Sequence, residues 1–90
     1  MTKVVMYSTQ FCPYCVRARM LLESKGIEFT DIRVDLERER YKEMINLAGR
    51  SSVPQIFIDD DHVGGCDDLY ALENQGVLDA KLGLNGYKTG

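Results

Sequence analysis

Residues 3–25 read KVVMYSTQFCPYCVRARMLLESK, and the order of residue types in this stretch decides the fold. The opening run Lys3-Val4-Val5-Met6-Tyr7-Ser8 is β-branched, apolar and aromatic, the composition of a short buried strand. Thr9-Gln10-Phe11 links it to Cys12. Pro13 follows where a first helical residue would stand, and there its missing N–H costs nothing while its fixed φ suits the helix start. The spacing predicts a helix from there to about Lys25, with Val16, Met20 and Leu21 near one face and Arg17, Arg19 and Glu23 elsewhere. Gly26 supplies the stop. The stretch is therefore a strand, a cysteine pair and a helix, in that order.

Downstream, residues 27–34 predict a second strand, with Ile32 and Val34 alternating around Arg33. Asp35 is the expected N-cap of a second helix in which Tyr41, Met44, Ile45 and Ala48 recur at i, i+3, i+4 and i+7, and Gly49 closes it. Residues 50–54 form a loop, Gln55-Ile56-Phe57-Ile58 a strand, Asp59-Asp60-Asp61 a turn, and His62-Val63-Gly64 the returning partner of a hairpin. Asp67 is the expected cap of a third helix that carries Leu69 and Leu72 and stops at Gly76. Residues 77–84 are expected to form a last short helix and residues 85–90 a loose tail. The order β-α-β-α-β-β-α predicts an α/β fold with a mixed four-stranded sheet flanked by helices. Its first two strands run parallel and its hairpin antiparallel.

Ninety residues without a repeat or linker fit a single domain spanning residues 1–90. A composition 44% hydrophobic and 28% charged excludes fibrous and disordered classes. The net charge of -3 argues against a nucleic-acid partner, because phosphate binding needs clustered cations; Arg38 and Arg40 alternate with Glu37 and Glu39, the pattern of a solvated helical face. No stretch approaches the roughly 20 apolar residues of a membrane span. The start of the chain turns polar too soon for a secretory signal, so a reducing, cytoplasmic location is expected; the chain is also expected to be a monomer. Three cysteines, Cys12, Cys15 and Cys66, do not make a disulfide framework.

Cys12-Pro13-Tyr14-Cys15 carries the chemistry. The attacking species in disulfide exchange is the thiolate. A sulfur just before the first helical turn meets unpaired N–H groups and the positive end of the helix dipole, both of which favour the anion, and Arg17 and Arg19 add to them. Cys15 lies one turn further in, near enough to close a disulfide and more shielded, so Cys12 attacks and Cys15 resolves. The competing reading, half of a zinc site, needs two more ligands, and the chain offers only His62 and Cys66. No metal is therefore expected. His62 reads as a strand-end residue and Cys66 as a small packing residue.

With its Cys12-Pro13-Tyr14-Cys15 motif, its Ser51-Ser52-Val53-Pro54-Gln55 run and its Gly64-Gly65-Cys66-Asp67-Asp68-Leu69 run, the chain resembles the dithiol glutaredoxins over residues 3–82. The resemblance implies the thioredoxin fold and a glutathione-dependent thiol–disulfide oxidoreductase with glutathione as co-substrate and no prosthetic group. It implies protein disulfides and glutathionylated proteins as substrates, with ribonucleotide reductase as one electron acceptor. It implies a cis Pro54 that presents the Val53 backbone to the cysteine of glutathione, with Ser52 beside it. Gly65 would allow close approach, the N–H groups of Cys66 and Asp67 would take the γ-glutamyl carboxylate, and Asp68 its ammonium. Tyr14 either packs beside the tripeptide or covers the helix start. Many relatives carry a lysine shortly before the first motif cysteine, where this chain has Thr9 and Gln10; Arg38, Arg40 or Gln55 would then hold the glycine carboxylate. Three other classes share these features in part: a thioredoxin-like reductant fed by a flavoenzyme, a glutathione-ligated iron–sulfur carrier, and a non-catalytic binding module.

Overall fold

The computed structural model describes residues 2–84, and the tail expected at residues 85–90 lies outside them. The elements are β1 (Val4–Ser8), α1 (Pro13–Ser24), β2 (Thr30–Arg33), α2 (Arg38–Ala48), β3 (Gln55–Ile58), β4 (Asp61–Gly64), α3 (Cys66–Asn74) and α4 (Leu78–Lys81). They build one mixed sheet in the order β2-β1-β3-β4, with β1 and β2 parallel and the other two pairs antiparallel. This is the thioredoxin fold, as the sequence led us to expect.

Strand alternation divides the core into two layers. Val4 and Met6 of β1 and Ile56 and Ile58 of β3 pack with Ala18 and Leu22 of α1, Leu69 of α3 and Leu78 of α4. Tyr7 and Phe57, one residue out of phase, pack with Ile32 and with Met44 of α2 on the opposite face. Helices thus cover both faces, and for that reason all four residues of β3 are buried.

Several local expectations are corrected. The inward face of α1 is Cys15, Ala18 and Leu22, whereas Val16 and Met20 are 44% and 62% exposed. Anchoring the helix start at Cys12, after the three-residue link that follows β1, sets its rotation, and the small Ala18 lets it lie close to the sheet. β2 begins only at Thr30, because Ile27 and Phe29 pack in the connection against the first core layer. Asp35 does not cap α2; Glu37 occupies that position without a side-chain bond. The Asp35 carboxylate is taken instead by Arg33 (Nε 2.8 Å, Nη2 2.6 Å) and by the Gln10 N–H. The Arg33 guanidinium thereby holds the Asp35 carboxyl down at about 2. Two parallel bonds from the Arg33 guanidinium hold the carboxylate away from the start of α2.

The hairpin is tighter than expected. Asp61 already belongs to β4, and Asp59 and Asp60 alone make the turn with φ of 51° and 69°. A two-residue turn with both φ positive matches the twist of the strands it joins. α3 starts at Cys66 with Gly65 as its N-cap, so Asp67 is not the cap. The expected last helix shortens to the single turn of α4, held by buried Leu78 and Leu82.

Candidate active site

β1 and α1 are joined by a link that leaves Cys12 extended, with φ -134° and ψ 104°, as the N-cap of the helix. Its Sγ accepts the Cys15 N–H at 3.1 Å, the bond that a serine or aspartate oxygen makes at other helix starts. In the thiol form the same sulfur donates to the Val53 carbonyl at 3.8 Å. Cys12 retains 9% exposure, whereas Cys15 has none. Burial, aided by the hydrogen bond with Cys12, pushes the Cys15 thiol up to about 12; a backbone bond from Thr9 and the charge of Arg19 pull the other way without prevailing. Burial also raises Cys66. All three cysteines are free thiols.

The Val53–Pro54 bond is cis. It lies in the loop between α2 and β3, and this loop faces the start of α3. Gly64 has φ 120°, and a Cβ there would stand 2.2 Å from Asp68 Oδ2. Without that Cβ, the Asp68 carboxylate folds back to accept the Gly65 N–H at 2.9 Å, which is the half of a capping box contributed from the third helical position. A Cβ on Gly65 would stand 3.4 Å from the Pro54 carbonyl, which shows how close α3 comes to the loop.

Between these segments runs an open groove of about 240 Å³. Tyr14 forms one wall, Ser52, Val53 and Pro54 another, and Gly65, Cys66, Asp67 and Asp68 the third. Tyr14, Ser52, Val53, Pro54, Gly65, Cys66, Asp67 and Asp68, all expected at the glutathione site, therefore border a single groove, and Cys12 adjoins it through Val53. Cys66 faces the groove and also belongs to the core, in keeping with a packing role. A larger hollow, about 740 Å³ beside Thr2, Ile27, Phe29 and Leu82, includes no cysteine. The chemistry of the sulfurs, and not hollow size, marks the site.

The residues expected to serve the glycine carboxylate do not border this groove. Arg40 is bonded to Glu43 at 3.0 Å. Gln55 is fully buried, donating from Nε2 to Ser52 O and Ser52 Oγ and pairing through Oε1 with His62 Nε2 at 2.7 Å. Because Gln55 Oε1 can only accept, His62 Nε2 carries the hydrogen; the ring is a structural brace at the strand end. Arg38 is exposed on α2. Nor are Arg17 and Arg19 free to serve Cys12 alone: Arg17 lies over the Tyr70 ring at 5.4 Å and Arg19 pairs with Asp31 at 2.8 Å. Among the described residues no three metal-ligating side chains converge.

One groove residue escaped the sequence reading. Arg50 lines the groove and reaches Asp68 Oδ2 at 3.4 Å. The available signal was a cation four positions before Pro54, between a helix-ending glycine and the Ser-Ser pair.

A family model for glutaredoxin matches residues 4–63. The chain is 51% identical over 82 residues to glutaredoxin 3 of Escherichia coli K12, covering 91% of this chain and 99% of that one. It is 52% identical over 82 residues to a glutaredoxin of Pseudomonas aeruginosa, covering 91% and 98%. Among solved structures, a glutaredoxin from Brucella melitensis superposes with a TM-score of 0.82 at 49% identity, covering 94% of this chain and 92% of that one. A buckwheat glutaredoxin–glutathione complex superposes with a TM-score of 0.83 at 28% identity, covering 90% and 76%.

Proposed function

The chain belongs to the glutaredoxin family of thiol–disulfide oxidoreductases, and on that premise we propose that it reduces protein–glutathione mixed disulfides and protein disulfides at the expense of glutathione. One observation carries the reading: Cys12, the only sulfur among the described residues that accepts an N–H of its own helix start, adjoins a groove that presents a backbone edge at Val53 and an acidic helix start at Asp67 and Asp68.

In the proposed cycle the Cys12 thiolate attacks the glutathione sulfur of a mixed disulfide. A Cys12–glutathione bond forms, the protein–glutathione bond breaks, and the protein sulfur leaves as a thiolate that takes a proton from water. A second glutathione thiolate then attacks the bound glutathione sulfur, releasing oxidised glutathione and restoring the Cys12 thiolate. The Cys15 N–H holds the sulfur that departs in this second step. Cys15 itself stays protonated at neutral pH, so it does not compete as a nucleophile. For a protein disulfide, Cys12 attacks first. Cys15 then attacks Cys12 as its proton passes to the departing target sulfur, the Cys12–target bond breaks, and the resulting Cys12–Cys15 disulfide is reduced by two glutathione molecules, which leave as oxidised glutathione.

The tripeptide's cysteine would pair with the Val53 backbone like an added strand, and its γ-glutamyl end would meet the start of α3. The proposed setting is the cytoplasm, where glutathione keeps thiols reduced; ribonucleotide reductase is a candidate acceptor.

Mass spectrometry after incubation with oxidised glutathione tests the assignment. The expected result is a single glutathione adduct on the Cys12 peptide when Cys15 is replaced by serine. An adduct mainly on Cys66, or none, rejects it.

A further inference from the structure

Arg50 is the one basic side chain among the described residues lining the groove, and it faces two carboxylates, Asp67 and Asp68. Its pair with Asp68 is loose. Nη2 to Oδ2 measures 3.4 Å with both side chains about half exposed, whereas Arg19–Asp31 and Arg33–Asp35 close to 2.8 and 2.6 Å. A pair this long and this solvated contributes little to stability and is readily exchanged.

The two partners are also unequally held. Asp68 keeps its place without Arg50, because Oδ2 accepts the Gly65 N–H at 2.9 Å and Gly64 leaves it room. The Arg50 side chain has Asp68 as its sole hydrogen-bonding partner among the described residues, so most of its five N–H donors are uncommitted. Arg50 also enters from a different segment, the loop after α2, so it meets Asp68 across the groove and not along one helix.

We propose that Arg50 is a specificity-determining residue that holds the α-carboxylate of the γ-glutamyl head of glutathione, leaving Asp68 when the ammonium of that head takes its place. The proposal rests on the glutathione reading above. An α-amino-acid head carries its ammonium and carboxylate on one carbon. Placing the ammonium on Asp68 therefore sets the carboxylate within reach of the guanidinium that Asp68 has released. The carboxylate has lone pairs for both the first N–H groups of α3 and the Arg50 fork. One internal ion pair becomes two ligand pairs, so neither Arg50 nor Asp68 is left unmatched. A thiol lacking either head charge strands Arg50 or Asp68, which is how the groove would reject it.

The test compares wild type and Arg50→Gln in single turnover on three mixed disulfides of one peptide. The first carries glutathione. The second carries 4-aminobutanoyl-cysteinylglycine, which is glutathione without the α-carboxylate. The third carries 2-mercaptoethanol. The expected result is that Arg50→Gln reacts about tenfold more slowly with the glutathione adduct, the loss of one charge-assisted contact, and at the wild-type rate with the carboxylate-free adduct. Equal slowing on both peptide-like adducts, or slowing on neither, overturns the role of Arg50 while leaving the glutathione reading intact. A wild-type protein that consumes the glutathione and 2-mercaptoethanol adducts at the same rate overturns both.

Discussion

Two helices, α1 and α3, begin beside the same groove, and they end their first turns differently. At α1 the N-cap is Cys12, whose sulfur takes the Cys15 N–H, and the first turn contains no acid. At α3 the N-cap is Gly65, which has no side chain to offer, and the first turn contains Asp67 and Asp68. Both starts supply unpaired N–H groups and the positive end of a dipole. At α1 that field is reserved for a sulfur that must become an anion, and a neighbouring carboxylate would oppose it. At α3 the field is shared with carboxylates, one of which ties the turn together through Gly65 while presenting charge to the groove. The same local physics thus yields an end that favours a sulfur anion and an end that presents carboxylates to the groove, and the residue types in the first turn decide which.

The sharpest break in this comparison falls on α1. Cys12→Ser is expected to abolish turnover, a loss of at least about a hundredfold given that the step is covalent, while Cys15→Ser retains activity on small glutathione mixed disulfides. A Cys15→Ser protein without that activity would show that the two sulfurs are both required, and the monothiol cycle would be wrong.

A substitution at α3 should separate the two ends. Gly64→Ala forces a Cβ against Asp68 at a φ of 120°. It should lower stability by about 1–3 kcal/mol and raise the KM for glutathione several-fold, because Asp68 must move. The rate of Cys12 alkylation should stay at the wild-type value, since that end of the groove is built by α1. A matching fall in alkylation rate would mean that the two helix starts are not independent.

The smallest effect is a pH dependence. Burial raises Cys15 from its ordinary value near 9.0 to about 12 in the folded protein. Below about 9 the thiol is protonated folded and unfolded, and its stabilising contribution is complete. Between about 9 and 12 the unfolded chain loses the proton first, so this contribution declines as pH rises. Thermal melts at pH 8 and 10.5 should therefore show a smaller alkaline loss in Cys15→Ala than in wild type. Equal losses would place the alkaline titration elsewhere, with Cys66, whose thiol is also raised by burial, as the first candidate.

Much of the site was legible because its parts are short and local. The strand–Cys12-Pro13-Tyr14-Cys15–helix run announces itself within a few residues, and the resemblance to glutaredoxins points to the Val53-Pro54 loop and the Gly64-Gly65 pair. Arg50 was not legible, since its partner Asp68 is 18 positions away and the pairing exists only because α3 packs near the loop. The glycine-carboxylate candidates lie outside the groove for a related reason: Gln55 and Arg40 have polar partners elsewhere. The cap of α3 was misread because an aspartate beside a helix start can serve from inside the first turn as well as from its edge. Asp68 does so, and Gly65 holds the cap position.

The order of strands and helices, the placement of Cys12 at a helix start and the position of the hairpin follow from the sequence alone, because propensity, periodicity and proline or glycine punctuation act over a few neighbouring residues. Which face of α1 turns inward, which thiol is sealed from water and which cation meets Asp68 across the groove were decided only by the tertiary structure. Those outcomes depend on distances of a few ångströms between residues far apart in the chain, and such distances are set by how the layers pack on the sheet.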